Sequence, residues 1–196
     1  MPFAKGKNEM QASIDDTASA LIQLTNEIDY YYNQKVADLD SQLEIIRKDN
    51  PNEEPEILSC MESPIIGTKW IYDEMYIDTL EMLVCKVYSF VEKHLAELLK
   101  RVPISKRTAK NRYKGKGMSD VEKFYASLYD KFKYSRQGVS DIWKDYERMH
   151  TIRNDVVHRY YHERANITAN FILSNIEQAK ELLQYVEECT RAHQNQ

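Results

Sequence analysis

The sequence predicts an all-α protein, an antiparallel bundle of about five principal helices. Apolar residues recur at three- and four-residue steps along most of the chain, which is the spacing of an amphipathic helix. Glycine and proline interrupt helices, and there are only five of each in 196 residues. No run alternates polar and apolar residues as a strand does. We therefore expect one helical domain at residues 13–193, preceded by a flexible tail at residues 1–12.

Composition and cysteine usage indicate a globular protein of a reducing compartment. Hydrophobic residues make up 42% of the chain and charged residues 30%, as in soluble domains. The three cysteines, Cys60, Cys85 and Cys189, are scattered and odd in number, which argues against a disulfide framework. The first residues lack the apolar stretch of a secretory signal, and the longest apolar runs are too short to span a bilayer. We expect a cytoplasmic protein without membrane association.

The first helix is predicted from Ile14 to Lys48. Its apolar residues follow a helical spacing, with either Tyr31 or Tyr32 included: Leu21, Leu24, Ile28, Val36, Leu39, Leu43 and Ile46. A helix of this length either extends past the body or forms an antiparallel hairpin with its neighbour. The next residues, 49–64, contain three prolines and are predicted to form a surface connection with at most one short turn.

The second helix is predicted from Thr68 to Arg101, and it carries the most apolar stripe of the chain. Its members are Trp70, Ile71, Met75, Leu80, Leu83, Val84, Val87, Phe90, Val91, His94, Leu95 and Leu98. His94 lies at the edge of the stripe and is predicted to be a partly buried histidine with a hydrogen-bond partner. This helix is expected to be the centre of the core.

A basic segment at residues 101–117 follows. It contains seven cations and no acid, which leaves a net charge of −11 on the rest of a chain whose total is −4. The segment is interpreted either as a solvated loop or as a contact surface for the phosphates of RNA. Its cations are Arg101, Lys106, Arg107, Lys110, Arg112, Lys114 and Lys116.

The rest of the chain predicts three more helices. Ser119 and Glu122 form a capping box that begins a helix ending near Tyr134. Ser140 begins a second helix that runs to Arg164. Residues 166–168 cap a last helix, whose apolar side carries Phe171, Ile172, Ile176, Ala179, Leu182, Leu183 and Val186.

The helix from Ser140 to Arg164 carries the chemically informative pattern. Arg153 falls near the middle of a broad apolar face. That face also holds Ile142, Trp143, Tyr146, Met149, Ile152, Val156, Val157, Tyr160 and Tyr161. An arginine there is unusual, because this cation is rarely buried without a partner. A second stripe runs beside it at four-residue steps and consists of His150, Asn154, His158 and His162.

A metal site is the weaker interpretation of this helix. His158 and His162 could ligate one ion from the same face, but a third ligand, such as His150, would be needed and nothing in the sequence specifies it. We therefore predict no metal and no cofactor. Phosphate-binding glycine loops and the common hydrolase and calcium motifs do not occur in the sequence.

A phosphodiester chemistry fits the pattern better. Arginine offers a rigid, bidentate fork for phosphate, and histidine moves protons near neutral pH. RNA supplies its own nucleophile, the 2′-hydroxyl, so its cleavage requires no metal. One arginine and one histidine are few for this task, and a symmetric dimer would bring two sets together.

The stretch Arg153-Asn154-Asp155-Val156-Val157-His158 resembles the R-N-x-x-x-H form of the Arg-x4–6-His motif of HEPN domains, and it occurs near the end of a penultimate long helix, as in that family. The resemblance implies an all-α bundle that dimerises with its motifs facing each other. It also implies metal-independent endoribonuclease activity, which is common in toxin–antitoxin and phage-defence systems. Arg153 would then contact the scissile phosphate, His158 would transfer a proton, and Asn154 would be the polar residue that often follows the motif arginine.

Other interpretations stay open at this stage. The same superfamily includes non-catalytic modules that bind a nucleotide, RNA or a protein, with an antitoxin or a nucleotidyltransferase as a partner. The protein could also be a structural dimer that associates through the Ile14–Lys48 helix. Arg153 could form a buried ion pair, and His158 could be an ordinary exposed histidine. The aromatic residues are expected in the core or a dimer interface more than in base stacking: Trp143, Tyr146, Tyr160 and Tyr161.

Overall fold

Every regular element in the described part of the chain is a helix, as predicted. The structure, a computed structural model, describes residues 3–101, 148, 150–158 and 167–194. Helix α1 spans Phe3–Asp49, α2 spans Pro55–Leu99 and α3 spans Ala169–Gln194, and residues 150–158 are also helical. The predicted helix at 119–134, and with it the count of five, lies outside these residues. None of the described helices is long and apolar enough to cross a membrane.

Helices α1 and α2 form an antiparallel hairpin, which settles the alternative that the sequence left open. Only residues 50–54 separate them. The side-chain contacts between the two helices run in opposite directions along the chain. They join Ser13 to His94, Asp29 to Tyr76, Asp40 to Lys69, and Arg47 to Glu62. His94 is buried and bonded on both ring nitrogens, to Ser13 Oγ and to the Phe90 carbonyl, which confirms its predicted role.

The start of α1 was predicted too late. The helix begins at Phe3, so residues 3–12 continue it instead of forming the predicted tail. The reason is visible in the spacing: Met10 lies four residues before Ile14 and packs against the core that Ile14 enters. The apolar side of the helix therefore extends one turn further back than the prediction allowed.

The start of α2 was also wrong, because the helix runs through Pro64. Pro55 occupies its first turn, where a missing N–H costs little, but an interior proline costs about 3 kcal/mol. Two ion pairs with α1 flank Pro64 along α2. Arg47 Nε donates to Glu62 and Lys69 Nζ to Asp40, each at 2.6 Å. The predicted connection at 49–64 shrinks to a turn of five residues.

The core lies where α3 joins the hairpin. Thr168 Oγ1 accepts a hydrogen bond from the Phe171 N–H at 3.1 Å, so the predicted cap of the last helix is confirmed. The apolar side of α3 is buried as predicted, against the second half of α2 and the first half of α1. The fully buried side chains include Ile14, Leu80, Leu95, Leu98, Ile172, Ile176, Leu182 and Leu183.

Helix α3 covers only one end of the hairpin. Its first residue, Ala169, lies at the level of Tyr76, and further along Lys180 forms an ion pair with Asp15 at 3.1 Å. The hairpin therefore extends beyond α3 from about residue 76 of α2 toward the turn. This corrects the predicted core, because Trp70, Ile71, Met75 and Leu24 are exposed instead of buried.

Two stacked tyrosines join α1 to α2 where α3 begins. The rings of Tyr32 and Tyr76 are parallel, with centroids 3.9 Å apart. Tyr32 donates to Asp73 at 2.7 Å and Tyr76 donates to Asp29. Burial, followed by the Asp73 carboxylate, raises the pKa of Tyr32 to about 12, and burial and Asp29 raise the pKa of Tyr76 as well. Tyr32, not Tyr31, is thus the residue on the inner side of α1.

The tyrosine pair predicts a loss of stability at alkaline pH. A phenol whose pKa is raised by folding favours the native state while protonated. Its contribution is therefore complete below the unfolded pKa of about 10 and is lost as pH rises through the folded pKa of about 12. We expect the free energy of unfolding, measured in urea, to fall over this interval. The double variant Tyr32→Phe/Tyr76→Phe should lose less, whereas Tyr31→Phe, at an exposed tyrosine, should behave as wild type. Equal alkaline losses in all three proteins would contradict the assignment.

Candidate functional site

The segment 150–158 lies against α2 and α3. Ile152 packs on the core, as predicted for the apolar face of this segment. The Arg148 guanidinium lies 5.0 Å from the centre of the Phe171 ring on α3. These contacts place the predicted motif on the body of the bundle.

A chain of hydrogen bonds joins three side chains of the predicted pattern. Arg153 Nη1 donates to Asn154 Oδ1 at 2.8 Å, and the Asn154 amide nitrogen lies 3.0 Å from His150 Nε2. Because the amide nitrogen can only donate, His150 accepts at Nε2 in this assignment and carries its proton on Nδ1. The structure thus joins Arg153 to Asn154 and Asn154 to His150, whose role the sequence left undefined.

The Tyr88 ring on α2 lies against this row of hydrogen-bonded side chains. This tyrosine is only 2% exposed. The His150 ring stacks on it with centroids 5.4 Å apart, and the Arg153 guanidinium carbon lies 5.6 Å from the same ring centre. An aromatic face attracts a cation without neutralising it. Tyr88 therefore holds the guanidinium in place while leaving its charge available.

The field of Arg153 reaches Cys85, one turn before Tyr88. Burial raises the pKa of the Cys85 thiol, and the positive charge of Arg153 opposes this rise. The thiol is partly buried and not in a disulfide. The Glu81 carboxylate adds to the rise, so a positive and a negative charge both act on this side of the site.

No carboxylate lies within ion-pair distance of Arg153 among residues 3–101, 148, 150–158 and 167–194. The buried ion pair considered from the sequence is therefore not found in this part of the chain. Arginine has five N–H donors, and one of them is used on Asn154. The remaining donors suit a doubly bonded anion such as phosphate.

His158 is separate from this cluster. Its side chain is exposed, and it lies about 7.5 Å along the helix axis and about 140° around it from Arg153, by helical geometry. Neighbouring Val157 is exposed too, although the sequence placed it on the apolar face. Within one chain, Arg153 and His158 therefore lie on different sides of the segment.

Sequence reasoning missed Tyr88. It belongs to the helix with the strongest apolar stripe, but it is one of fourteen tyrosines in the chain. Only the packing of the segment on α2 distinguishes it. The signal for His150 was present, because it lies one turn before Asn154 on the same stripe.

Several other residues were predicted to belong to the site. Lys106, Arg107, Lys110, Arg112, Lys114 and Lys116 lie outside the described residues, as do His162 and the aromatic residues Trp143, Tyr146, Tyr160 and Tyr161. Within the described ranges, no three His, Cys, Asp or Glu side chains are grouped so as to hold a metal ion.

Comparison with protein-family models, with curated proteins and with solved structures finds no match to this chain. The described residues are those of a helical protein, and the candidate site is a hydrogen-bonded chain of arginine, asparagine and histidine supported by a buried tyrosine.

Proposed function

We propose that the protein is a metal-independent endoribonuclease of the HEPN type that acts on RNA as a symmetric dimer, in a toxin–antitoxin or phage-defence system. One observation carries the proposal: among the described residues, Arg153 contacts an amide oxygen and an aromatic ring and no carboxylate. In that part of the chain, no carboxylate neutralises its charge and one of its five N–H donors is used, so the guanidinium suits a phosphate. The match of residues 153–158 to the HEPN motif supports the same conclusion.

The proposed chemistry assigns a role to each motif residue. The 2′-hydroxyl of RNA attacks the adjacent phosphorus, and its proton goes to a base. Arg153 stabilises the charge of the five-coordinate phosphorus. The bond to the 5′-oxygen then breaks, and that oxygen takes a proton as it leaves. His158 of one or both subunits transfers these protons, and the products are a 2′,3′-cyclic phosphate and a 5′-hydroxyl.

The activity can be tested with purified protein, single-stranded and structured RNA, and EDTA to remove metals. We expect wild type to cleave in EDTA and His158→Ala to be slower by roughly 100-fold or more, the usual contribution of acid–base catalysis. Analysis of the product ends should find cyclic phosphate.

Asp155→Asn is a matched control, because this exposed residue belongs to the same segment and has no role in the scheme. It should cleave at the wild-type rate. If wild type cuts no faster than His158→Ala, the catalytic proposal is wrong.

A second candidate is a non-catalytic module that binds RNA or a nucleotide, and one observation favours it. The imidazole that touches the arginine chain is His150, and its Nε2 already accepts from Asn154. The cluster could thus hold an anion without moving a proton. RNA binding without cleavage, weakening steeply as salt rises, would support this alternative. Salt-independent binding of a protein instead would favour an interaction module.

A further inference from the structure

One side of the hairpin carries an exposed apolar stripe on α2. We call Ile57, Met61, Ile71, Met75 and Met82 the hairpin stripe. These side chains are 41–61% exposed, which is high for large apolar residues on one helix face. They follow steps of four, ten, four and seven residues, so they lie within about 80° of one another on an ideal helix.

The stripe points away from the contacts inside the chain. Tyr76 and Asp73, which bond to α1, lie about 100° or more around α2 from Met75. On α1, Leu24 and Tyr31 are exposed, and helical geometry places them on the same side of the hairpin as the stripe. The apolar surface is therefore about two helices wide.

The spacing of the stripe is that of a helix made to pair with another helix. Positions 57, 61, 64, 68, 71, 75, 78 and 82 alternate steps of four and three, as the a and d positions of coiled coils do. Five of the eight are large apolar residues, and the others are Pro64, Thr68 and Asp78. The central positions are small, Pro64 and Thr68, and nothing lies within 4 Å of the place where a Cβ on nearby Gly67 would be. Small residues allow two backbones to approach closely.

The charges at the two ends of the stripe differ in sign. Glu53, Glu54 and Glu56 precede Ile57, whereas Lys86 and Lys93 follow Met82 on the same line; all are exposed. In the described part of the chain, Lys86, Glu53 and Glu54 form no ion pairs. Two parallel stripes would bring like charges together. Two antiparallel stripes would bring Lys86 of each copy beside the acids of the other.

We propose that the hairpin stripe is an interface with a second copy of this chain, packed antiparallel about a two-fold axis between Thr68 and Ile71. From Ile57 to Met82 the stripe is about 37 Å long at ~1.5 Å per residue. A surface of this length and about 20 Å wide, contributed by each copy, is roughly 1,500 Å², the size of a stable interface. A self-complementary patch is what a two-fold dimer requires.

This interface is distinct from the motif site. Tyr88, which supports Arg153, lies about 120° around α2 from Met82, so the two surfaces do not compete. The proposal does not depend on the proposed ribonuclease activity. A chain that associates through both surfaces would form assemblies larger than a dimer.

The first test measures assembly mass against concentration by analytical ultracentrifugation on the full chain. We expect Ile71→Glu/Met75→Glu to halve the mass of the assembly and to raise the dissociation constant by roughly tenfold or more, the effect of about 1.4 kcal/mol. The matched control is Ile66→Glu/Trp70→Glu, two exposed residues on the other side of the same helix, which should assemble as wild type. If the motif site also dimerises, the stripe variant keeps that interface and sediments as a dimer; otherwise it sediments as a monomer.

The charges give a second test. Lys86→Glu should weaken assembly several-fold, as expected for exposed ion pairs, and adding Glu53→Lys and Glu54→Lys to the same chain should restore it. Failure of the rescue would overturn the antiparallel register.

A cysteine cross-link tests the register directly. In the proposed dimer, the exposed Cys60 lies beside position 78 of the partner. Asp78→Cys should therefore form a dimer on mild oxidation, whereas Ile66→Cys should not. A bond between positions 60 and 78 of one chain is excluded, because they are about 27 Å apart on one helix.

A stripe variant whose assembly mass equals that of wild type at every concentration would overturn the proposal.

Discussion

Replacing Arg153 with alanine is expected to lower the rate of RNA cleavage by roughly 100-fold or more, the effect of losing one group that stabilises the transition state. The variant removes the guanidinium that lies on Tyr88 and the donor that Asn154 Oδ1 accepts. Lysine should not restore the rate, because a single ammonium lacks the planar fork that binds two phosphate oxygens. Single-turnover cleavage of a labelled RNA in EDTA measures the effect.

Arg148→Ala is the matched control for this prediction. Arg148 belongs to the same helix and also lies over an aromatic ring, that of Phe171. Its loss removes a contact of the same kind but no residue of the proposed site. Arg148→Ala should therefore retain activity, and thermal unfolding of both variants separates catalysis from stability. Equal losses of activity in the two variants would mean that Arg153 acts through folding.

Replacing Leu95 with alanine is expected to lower the free energy of unfolding by about 2–5 kcal/mol, the usual cost of a large-to-small change in a core. Leu95 is completely buried on the half of α2 that packs against both α1 and α3. The loss is a large part of a total stability of about 5–15 kcal/mol. Urea unfolding followed by circular dichroism at constant protein concentration measures it.

Ile66→Ala, at an exposed residue of the same helix, is the control for Leu95→Ala. It should change the free energy of unfolding by less than about 0.5 kcal/mol, because surface substitutions remove little packing. A comparable loss at both positions would show that the hairpin end is as buried as the core, which contradicts the fold described above.

Much of the fold was predictable because helical spacing is local. The buried side of α3, with Ile172, Ile176 and Leu183, was read from its sequence, as was the capping role of Thr168. Helix ends were less predictable. Pro64 predicts a break, but α2 is continuous through it and contacts α1 on both sides of it. Those contacts join residues far apart in the sequence, and no local rule contains them.

The candidate site also has some features that the sequence predicts and others that depend on tertiary packing. The sequence identified Arg153 and Asn154, because an arginine on an apolar face and an asparagine beside it are visible in one helix. It could not identify Tyr88, since that residue meets Arg153 only when two distant segments pack.

The sequence by itself determined that this protein is helical and which side of α3 is buried, and it predicts Arg153, Asn154 and His158 as residues of the site. These properties depend on residue types at short spacings. The tertiary structure alone decided which apolar residues are covered, because α3 begins at the level of Tyr76 and leaves the end of the hairpin exposed. It also decided that the partners of Arg153 in the described chain are an amide and an aromatic ring. Burial and pairing depend on which surfaces meet, and spacing along one helix does not specify that.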